Sequence, residues 1–377
     1  MNPELTNDVT LPGYGRSSLC DLLPSIASAL GVGGEANTLA LPSWDRFVLL
    51  LVDGLGWNLL NRHAEHAPYL ASLLADATCL TSGVPSTTAT SLVSLGTGDP
   101  PGGHGVLGYT TRIPGSDRLL NALRWDAAVD PREWQPRSTV FERAERAGIA
   151  VSVVNRRSFR DSGLTVAGMR GGRYIPADTG GERVAAVVAG ALPSRSLTYA
   201  YDSDLDTTGH RHGCGSDAWL HQLSLVDALA GRIRSVLPRG ATLLVTADHG
   251  MVDVPRQARV DVDQEPELLA GVQVFAGEAR FRHLYCDPDA AGAVAARWQR
   301  RLGESAIVLT ADEAIAQGWF GVMSERVRPR LGDVLVASLG HSAVESSSRF
   351  PVEMSLIGLH GSLSADEMCV PLLVDAG

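Results

Sequence analysis

Short, continuously apolar runs recur along the chain, separated by longer stretches with helical periodicity. Arg46–Val52, Ile149–Val154, Leu197–Tyr201, Ala241–Thr246, Asp333–Ala337 and Met354–Ile357 read as strands. Several lack polar alternation, which suits strands covered on both faces. Val140–Arg146, Arg183–Ala191 and Ala218–Val236 read as helices between them. This alternation predicts an α/β fold with a mostly parallel central sheet and helices on both faces.

Residues 254–332 break the rhythm. Gly271–Gly277 and Ala279–Cys286 read as strands, Ala290–Leu302 as a helix and Ile307–Thr310 as a short strand. We read them as a small α+β lid inserted into a core made of residues 1–253 and 333–377. Arg112–Arg137, with its Gly, Pro and Asp residues, reads as an irregular loop over the site.

The polar residues that follow the strands carry the chemistry. Asp53 follows the first strand, Asp206 lies just beyond Leu197–Tyr201, Asp248 and His249 close Ala241–Thr246, and His360 follows Met354–Ile357. Open α/β sheets bind ligands beyond the carboxyl ends of their strands. Four strands therefore aim metal-type ligands at one edge. They divide into Asp206, His210 and His360, and Asp53, Asp248 and His249. Mixed carboxylate and imidazole ligands suit two divalent transition ions, Zn²⁺ or Mn²⁺, better than Ca²⁺. Three protein ligands per ion leave a position open, which is the catalytic pattern.

Pro85–Gly105 places small hydroxyl residues before a helical run from about Thr90 to Leu95. The N–H groups and dipole of a helix start suit a phosphate. Metal coordination would activate a threonine hydroxyl as a nucleophile.

Composition narrows the partners. The 377 residues carry a formal net charge of -10, so a nucleic-acid polymer is not expected as a partner. No apolar run is long enough to span a bilayer, so no membrane association is expected. The N-terminus lacks a signal-peptide pattern, and five dispersed cysteines read as reduced thiols, so a cytoplasmic location is expected. The sequence leaves the oligomeric state open.

Val52–Gly54 (VDG), Pro85–Gly105, Asp206–His210 (DxxxH), Thr246–Gly250 (TADHG) and Gly358–Gly361 (GLHG) together resemble the alkaline phosphatase superfamily. Within it they are most similar to the type I phosphodiesterase/nucleotide pyrophosphatase branch, in order and spacing over about residues 45–375. The resemblance implies Thr88 as nucleophile, with Thr87 and Thr90 as neighbouring candidates. It also implies one metal site of Asp53, Asp248 and His249, joined by Thr88, and another of Asp206, His210 and His360. A phospho-threonyl intermediate, hydrolysed by an activated water, would follow.

The pattern departs from the branch at Ser91, where an Asn that binds a phosphate oxygen is usual; Ser91 would replace it with a shorter donor. Trp57 and Tyr109 lie near the motifs and would either stack on a base or pack. His104 reads as a turn or capping residue, His212 as a surface residue and Gly168–Arg173 as a basic loop.

The Lys-free, Ala/Gly/Arg-rich chain and its opening LPGYGRSSLCDLLPSIASALG look like actinobacterial members that hydrolyse cyclic di-AMP. The resemblance thus implies a phosphodiesterase that cleaves a small nucleotide diester, cyclic di-AMP, to pApA and AMP. Phosphonoacetate-hydrolase-like or phosphomonoesterase activity at the same site is the alternative. A non-catalytic metal- or nucleotide-binding protein is the remote one. No CxPxR or SxPxR segment marks a sulfatase.

Overall fold

The computed structural model describes residues 9–377. Strands β1 (Arg46–Val52), β2 (Thr78–Thr81), β3 (Ala150–Asn155), β4 (Arg173–Pro176), β5 (Ser196–Asp202) and β6 (Ala241–Thr246) enter one seven-stranded sheet. The next four, β7 (Val272–Glu278), β8 (Phe281–Cys286), β9 (Ala306–Thr310) and β10 (Val334–Ser338), build a second sheet. β11 (Cys369–Asp375) returns to the first, whose order is β2-β11-β6-β1-β5-β3-β4. All its pairings are parallel except those of β11, which runs against both neighbours. The fold is the α/β architecture that the apolar runs predict.

The apolar strands are central because both their faces are covered. Phe47 to Val52 are fully buried, as are Leu243, Leu244 and Val245 of β6. Helices Gly180–Ala191 and Asp217–Val236 add Val187, Leu223, Val226 and Ile233 to the same core. Burying each large aliphatic side chain contributes about 1.5–3 kcal/mol, which makes these strands the rigid part of the molecule.

Register then sets the site. β1 lies between β6 and β5, with Leu51 opposite Thr246 and Val52 opposite Asp202. The three neighbouring strands end level with one another, so the residues that follow them emerge side by side.

Two strand expectations are corrected. Asp333–Ala337 does not resume the central sheet; β10 pairs antiparallel with β8 and β9 in the second sheet, of order β7-β8-β10-β9. The run is apolar because this sheet is also covered on both faces. Trp298 and Val294 of helix Ala291–Leu302 pack on one side, and Trp319, Phe320, Val84 and Leu107 on the other. The chain re-enters the large sheet at β11. Met354–Ile357 is not a strand: Glu353–Ser355 forms a short 3-10 turn. Its carbonyls are claimed elsewhere, since Arg259 donates to Leu356 O at 2.7 Å. The strand that carries His360 is Gly358–Leu359, paired with Val252–Asp253.

Arg112–Arg137 is more regular than expected. It contains most of a small hairpin, Thr110–Arg112 with Leu119–Asn121, and a short helix, Pro131–Trp134. No described helix is long and apolar enough to cross a membrane.

A carboxylate and imidazole cluster at the sheet edge

Asp53 leaves β1 with its N–H still bonded to Asp202 O at 2.8 Å, so the parallel ladder fixes its backbone. Gly54 then turns with φ +75°, and a Cβ there would stand 3.1 Å from Asp206 Cβ. Glycine thus lets the Asp206 segment close against the end of β1. Asp206 and His210 sit one turn apart on helix Asp204–His212, on one face, with Nε2 of His210 3.4 Å from Asp206 Oδ1. Asp248 and His249 follow β6, where the backbone approaches so closely that a Cβ on Gly250 would lie 1.9 Å from Asp366 O.

Thr88 opens the helix Thr88–Thr97, slightly longer than the sequence indicated, behind an extended Thr87 whose side chain caps nothing. The first-turn N–H groups of a helix have no intrahelical partner, and here they lie beside the cluster. Ser86 ties this segment to the His360 strand: its N–H donates to Gly361 O at 3.1 Å and its hydroxyl to Ser362 O at 2.6 Å.

All three histidines turn the same nitrogen inward. Nδ1 lies 2.7 Å from Gly358 O in His210, 2.9 Å from Gly250 O in His249 and 3.0 Å from Ser86 O in His360. A carbonyl accepts only from N–H, so each Nδ1 carries the proton and each Nε2 offers a lone pair. Nε2 of His249 nevertheless lies 3.3 Å from Asp53 Oδ1 and 3.7 Å from Asp248 Oδ2. Nε2 of His360 lies 3.8 Å from Asp206 Oδ1. Those three carboxylate oxygens are buried and have no hydrogen-bond partner among the described residues. Lone pairs facing lone pairs in a buried site need a cation between them.

The titration of the cluster fits the same need. Burial, then the neighbouring Asp248 and Asp206 charges, push the Asp53 carboxyl well above the carboxylate range. Burial raises Asp248 too. Burial, then His249 and His210, hold His360 well below the usual imidazole value. The groups that converge within 4.8 Å are Asp53, Asp248 and His249, and Asp206, His249 and His360. The sequence grouping differs in one respect: His249 belongs to both sets, and His210 joins through Asp206. Oxygen and imidazole donors in two adjoining sets of three fit a pair of divalent ions.

Above the cluster opens a cavity of about 520 Å³. Thr87, Thr88, Asp206, His210 and His360 form its polar floor; Tyr109, Leu119, Leu123, Phe350 and Leu359 line apolar walls. Tyr109 is therefore at the cavity, but Trp57 and Ser91 are not. Ser91 is fully buried with its hydroxyl 2.8 Å from that of Ser82, which in turn donates to Asp248 O at 2.7 Å. It braces the Asp248 backbone. His104, His212 and Gly168–Arg173 also lie away from the cavity lining.

Sequence reasoning missed Tyr201, whose hydroxyl donates to Asp53 Oδ2, and the wall residues Glu278, Arg349 and Phe350. Tyr201 could have been found, because it stands near the carboxyl end of the strand beside β1, opposite Leu51. The others come from loops and a sheet edge with no motif.

A family model for type I phosphodiesterase / nucleotide pyrophosphatase matches residues 47–363. Among solved structures, the chain is similar to murine ectonucleotide pyrophosphatase/phosphodiesterase 5, with a TM-score of 0.66 and 16% identity over 87% of each chain. An inactive variant of that murine protein in complex with AMP gives a TM-score of 0.68 at 17% identity, over 87% of each chain. Phosphonoacetate hydrolase from Sinorhizobium meliloti, with phosphonoformate, gives 0.67 at 18% identity, over 88% of this chain and 90% of that one. These structures share the alkaline-phosphatase-like fold. The chain is a hydrolase and belongs to the type I phosphodiesterase / nucleotide pyrophosphatase family, within the alkaline phosphatase superfamily.

Proposed function

We propose that this protein is a two-metal phosphodiesterase that cleaves a small nucleotide diester, cyclic di-AMP, to pApA and then AMP, with Thr88 as nucleophile. One observation carries the reading: unpartnered Asp53, Asp206 and Asp248 oxygens and inward Nε2 atoms meet beside the Thr88 hydroxyl.

Asp53, Asp248 and His249 would hold one divalent ion, joined by Thr88, and Asp206, His210 and His360 the other. Such ions, Zn²⁺ or Mn²⁺, lower the pKa of a hydroxyl and neutralise charge on a phosphoryl group. The Thr88 hydroxyl lies 3.1 Å from Nε2 of His249. Its oxygen forms the new bond to phosphorus as the P–O bond to the leaving ribose hydroxyl breaks, giving a phospho-threonyl enzyme. Water then attacks the same phosphorus, restores Thr88 and releases pApA. A second cycle on pApA releases AMP. The free N–H groups at the helix start would bind a non-bridging oxygen.

The apolar walls support a nucleotide over phosphonoacetate. A carboxylate-bearing substrate needs cations, and Arg349, the one arginine lining the cavity among the described residues, is bonded at 2.7 Å to Asp263. Tyr109 and Phe350 offer surfaces on which a base stacks. A cytoplasmic location fits such a substrate.

Incubation with Mn²⁺ and cyclic di-AMP, followed by chromatography, tests the proposal. It predicts pApA followed by AMP. Cleavage of bis-(para-nitrophenyl) phosphate without cleavage of cyclic di-AMP would overturn the substrate and keep the mechanism. Failure on every diester would overturn both.

A further inference from the structure

Glu278 ends β7 at the cavity wall, 7% exposed, with Oε1 unpartnered among the described residues. It packs against the segment that carries His360. A Cβ on Gly361, next to His360, would meet Glu278 Cγ at 2.8 Å, and one on Gly108 would meet Oε1 at 3.4 Å. Its backbone is fixed: Thr110 Oγ1 donates to Gly277 O at 2.8 Å and accepts from Gly277 N–H at 2.9 Å.

The neighbouring charges are already matched. Arg280 pairs with Glu367 at 2.5 Å, Arg282 pairs with Glu353, and Arg349 with Asp263. His283, whose Nδ1 accepts from Gly332 N–H at 3.2 Å, is neutral because burial holds it down at about 4. Asp206, His210 and His360 line the same cavity. Among the described residues no cationic side chain is paired with Glu278. A buried carboxyl in that position keeps its proton and becomes a donor.

Resting on the phosphodiesterase reading, we propose that Glu278 contacts the substrate, its neutral carboxyl donating a hydrogen bond to a phosphoryl oxygen. This supplies the donor that Ser91, engaged with Ser82, cannot. Burial pushes Glu278 up to about 8; Glu353 adds to the rise, and the Thr87 hydroxyl, Arg282 and the Tyr109 N–H oppose it. Ionisation replaces the donor with a negative charge facing the phosphate. Substrate binding and turnover therefore fall as Glu278 ionises on the alkaline side.

The test compares wild type, Glu278→Gln and Glu278→Ala in Mn²⁺ on bis-(para-nitrophenyl) phosphate from pH 6 to 10, with circular dichroism as the folding check. Glu278→Ala should lower kcat/KM about tenfold or more at pH 7. Glu278→Gln, whose amide still donates, should lose less and should lack the alkaline fall that separates it from wild type. Calorimetry with inorganic phosphate should show affinity dropping between pH 7 and 9 in wild type but not in Glu278→Gln. Superimposable pH profiles, or a folded Glu278→Ala with wild-type kcat/KM, would overturn the role of Glu278 while leaving the phosphodiesterase intact. Absence of wild-type turnover would instead count against the phosphodiesterase, and phosphate calorimetry would still decide Glu278.

Discussion

The Thr88 hydroxyl and Nε2 of His249 lie 3.1 Å apart, on a ring whose Nδ1 is 2.9 Å from the Gly250 carbonyl. Because that carbonyl takes the Nδ1 proton, the Nε2 lone pair faces the Thr88 hydroxyl together with the Asp53 and Asp248 oxygens, which sets Thr88 at the edge of the metal-type cluster. Thr88→Ala should lower kcat by at least about a thousandfold. It should leave Mn²⁺ bound, because six other ligands remain. Metal content and steady-state kinetics on one preparation check this; activity within tenfold of wild type would remove Thr88 from the mechanism.

Burial first, and then the neighbouring Asp248 and Asp206 charges, raise the Asp53 carboxyl when no cation is bound, so the ionised cluster is costly without a metal. Asp53→Asn should therefore raise the Tm of chelator-treated protein while abolishing the Tm increase that Mn²⁺ gives wild type. Thermal melts with chelator and with Mn²⁺ read both effects. An equal Mn²⁺ response in the two proteins would contradict the ligand assignment.

Acid stability follows from two buried neutral histidines. Nδ1 of His104 accepts the Val106 N–H at 3.2 Å, and burial, then Arg330 and Arg137, lower its pKa to about 3. Burial lowers that of His283 to about 4. Both folded values lie below the unfolded value, so this stability is present above about pH 6.5 and is lost as pH falls toward 4. Each histidine contributes a slope of up to about 1.4 kcal/mol per pH unit in that window. Urea unfolding between pH 7.5 and 5 should show it, and His104→Gln should flatten it. Parallel slopes would exclude His104 as a source.

The second sheet is anchored to the core through Arg280 and Glu367, both fully buried. Arg280 also donates to Gly340 O and Ser342 O, and Glu367 accepts from the Ser362 N–H. Arg280→Met strands the Glu367 charge and should cost about 3–5 kcal/mol. Chemical denaturation of the metal-loaded protein measures it; a change below 1 kcal/mol on that scale would show the pair to be dispensable.

Phe350 and Tyr109 should matter for nucleotides only. Alanine at either position should raise KM for cyclic di-AMP several-fold and leave that for bis-(para-nitrophenyl) phosphate close to wild type. Equal effects on both substrates would mean that the side chains shape the wall without stacking on a base.

The central strands were legible because burial on both faces leaves an uninterrupted apolar run: Arg46–Val52 and Ala241–Thr246 have the bounds that their composition indicates. The convergence of Asp53, Asp206, Asp248, His249 and His360 was legible because these residues follow strands or stand in short motifs. Membership of β10 was not, since an apolar run does not say which of two covered sheets it joins. Glu278 was invisible for a related reason. A glutamate at the end of a strand is ordinarily solvated, and only the meeting of β7 with Gly108 and Gly361 buries it. Ser91 looked like a phosphate donor from its spacing, but helix rotation turns it toward Ser82.

The most direct test of the account is to trap the enzyme during turnover. Wild type mixed with Mn²⁺ and excess cyclic di-AMP, quenched in acid within the first turnovers and digested, should yield a peptide spanning Pro85–Gly105 that carries one nucleotidyl-phosphoryl adduct on Thr88. Thr88→Ala should yield none. Turnover with no adduct on Thr88, or with the adduct on Thr87 or Thr90, would contradict the central claim.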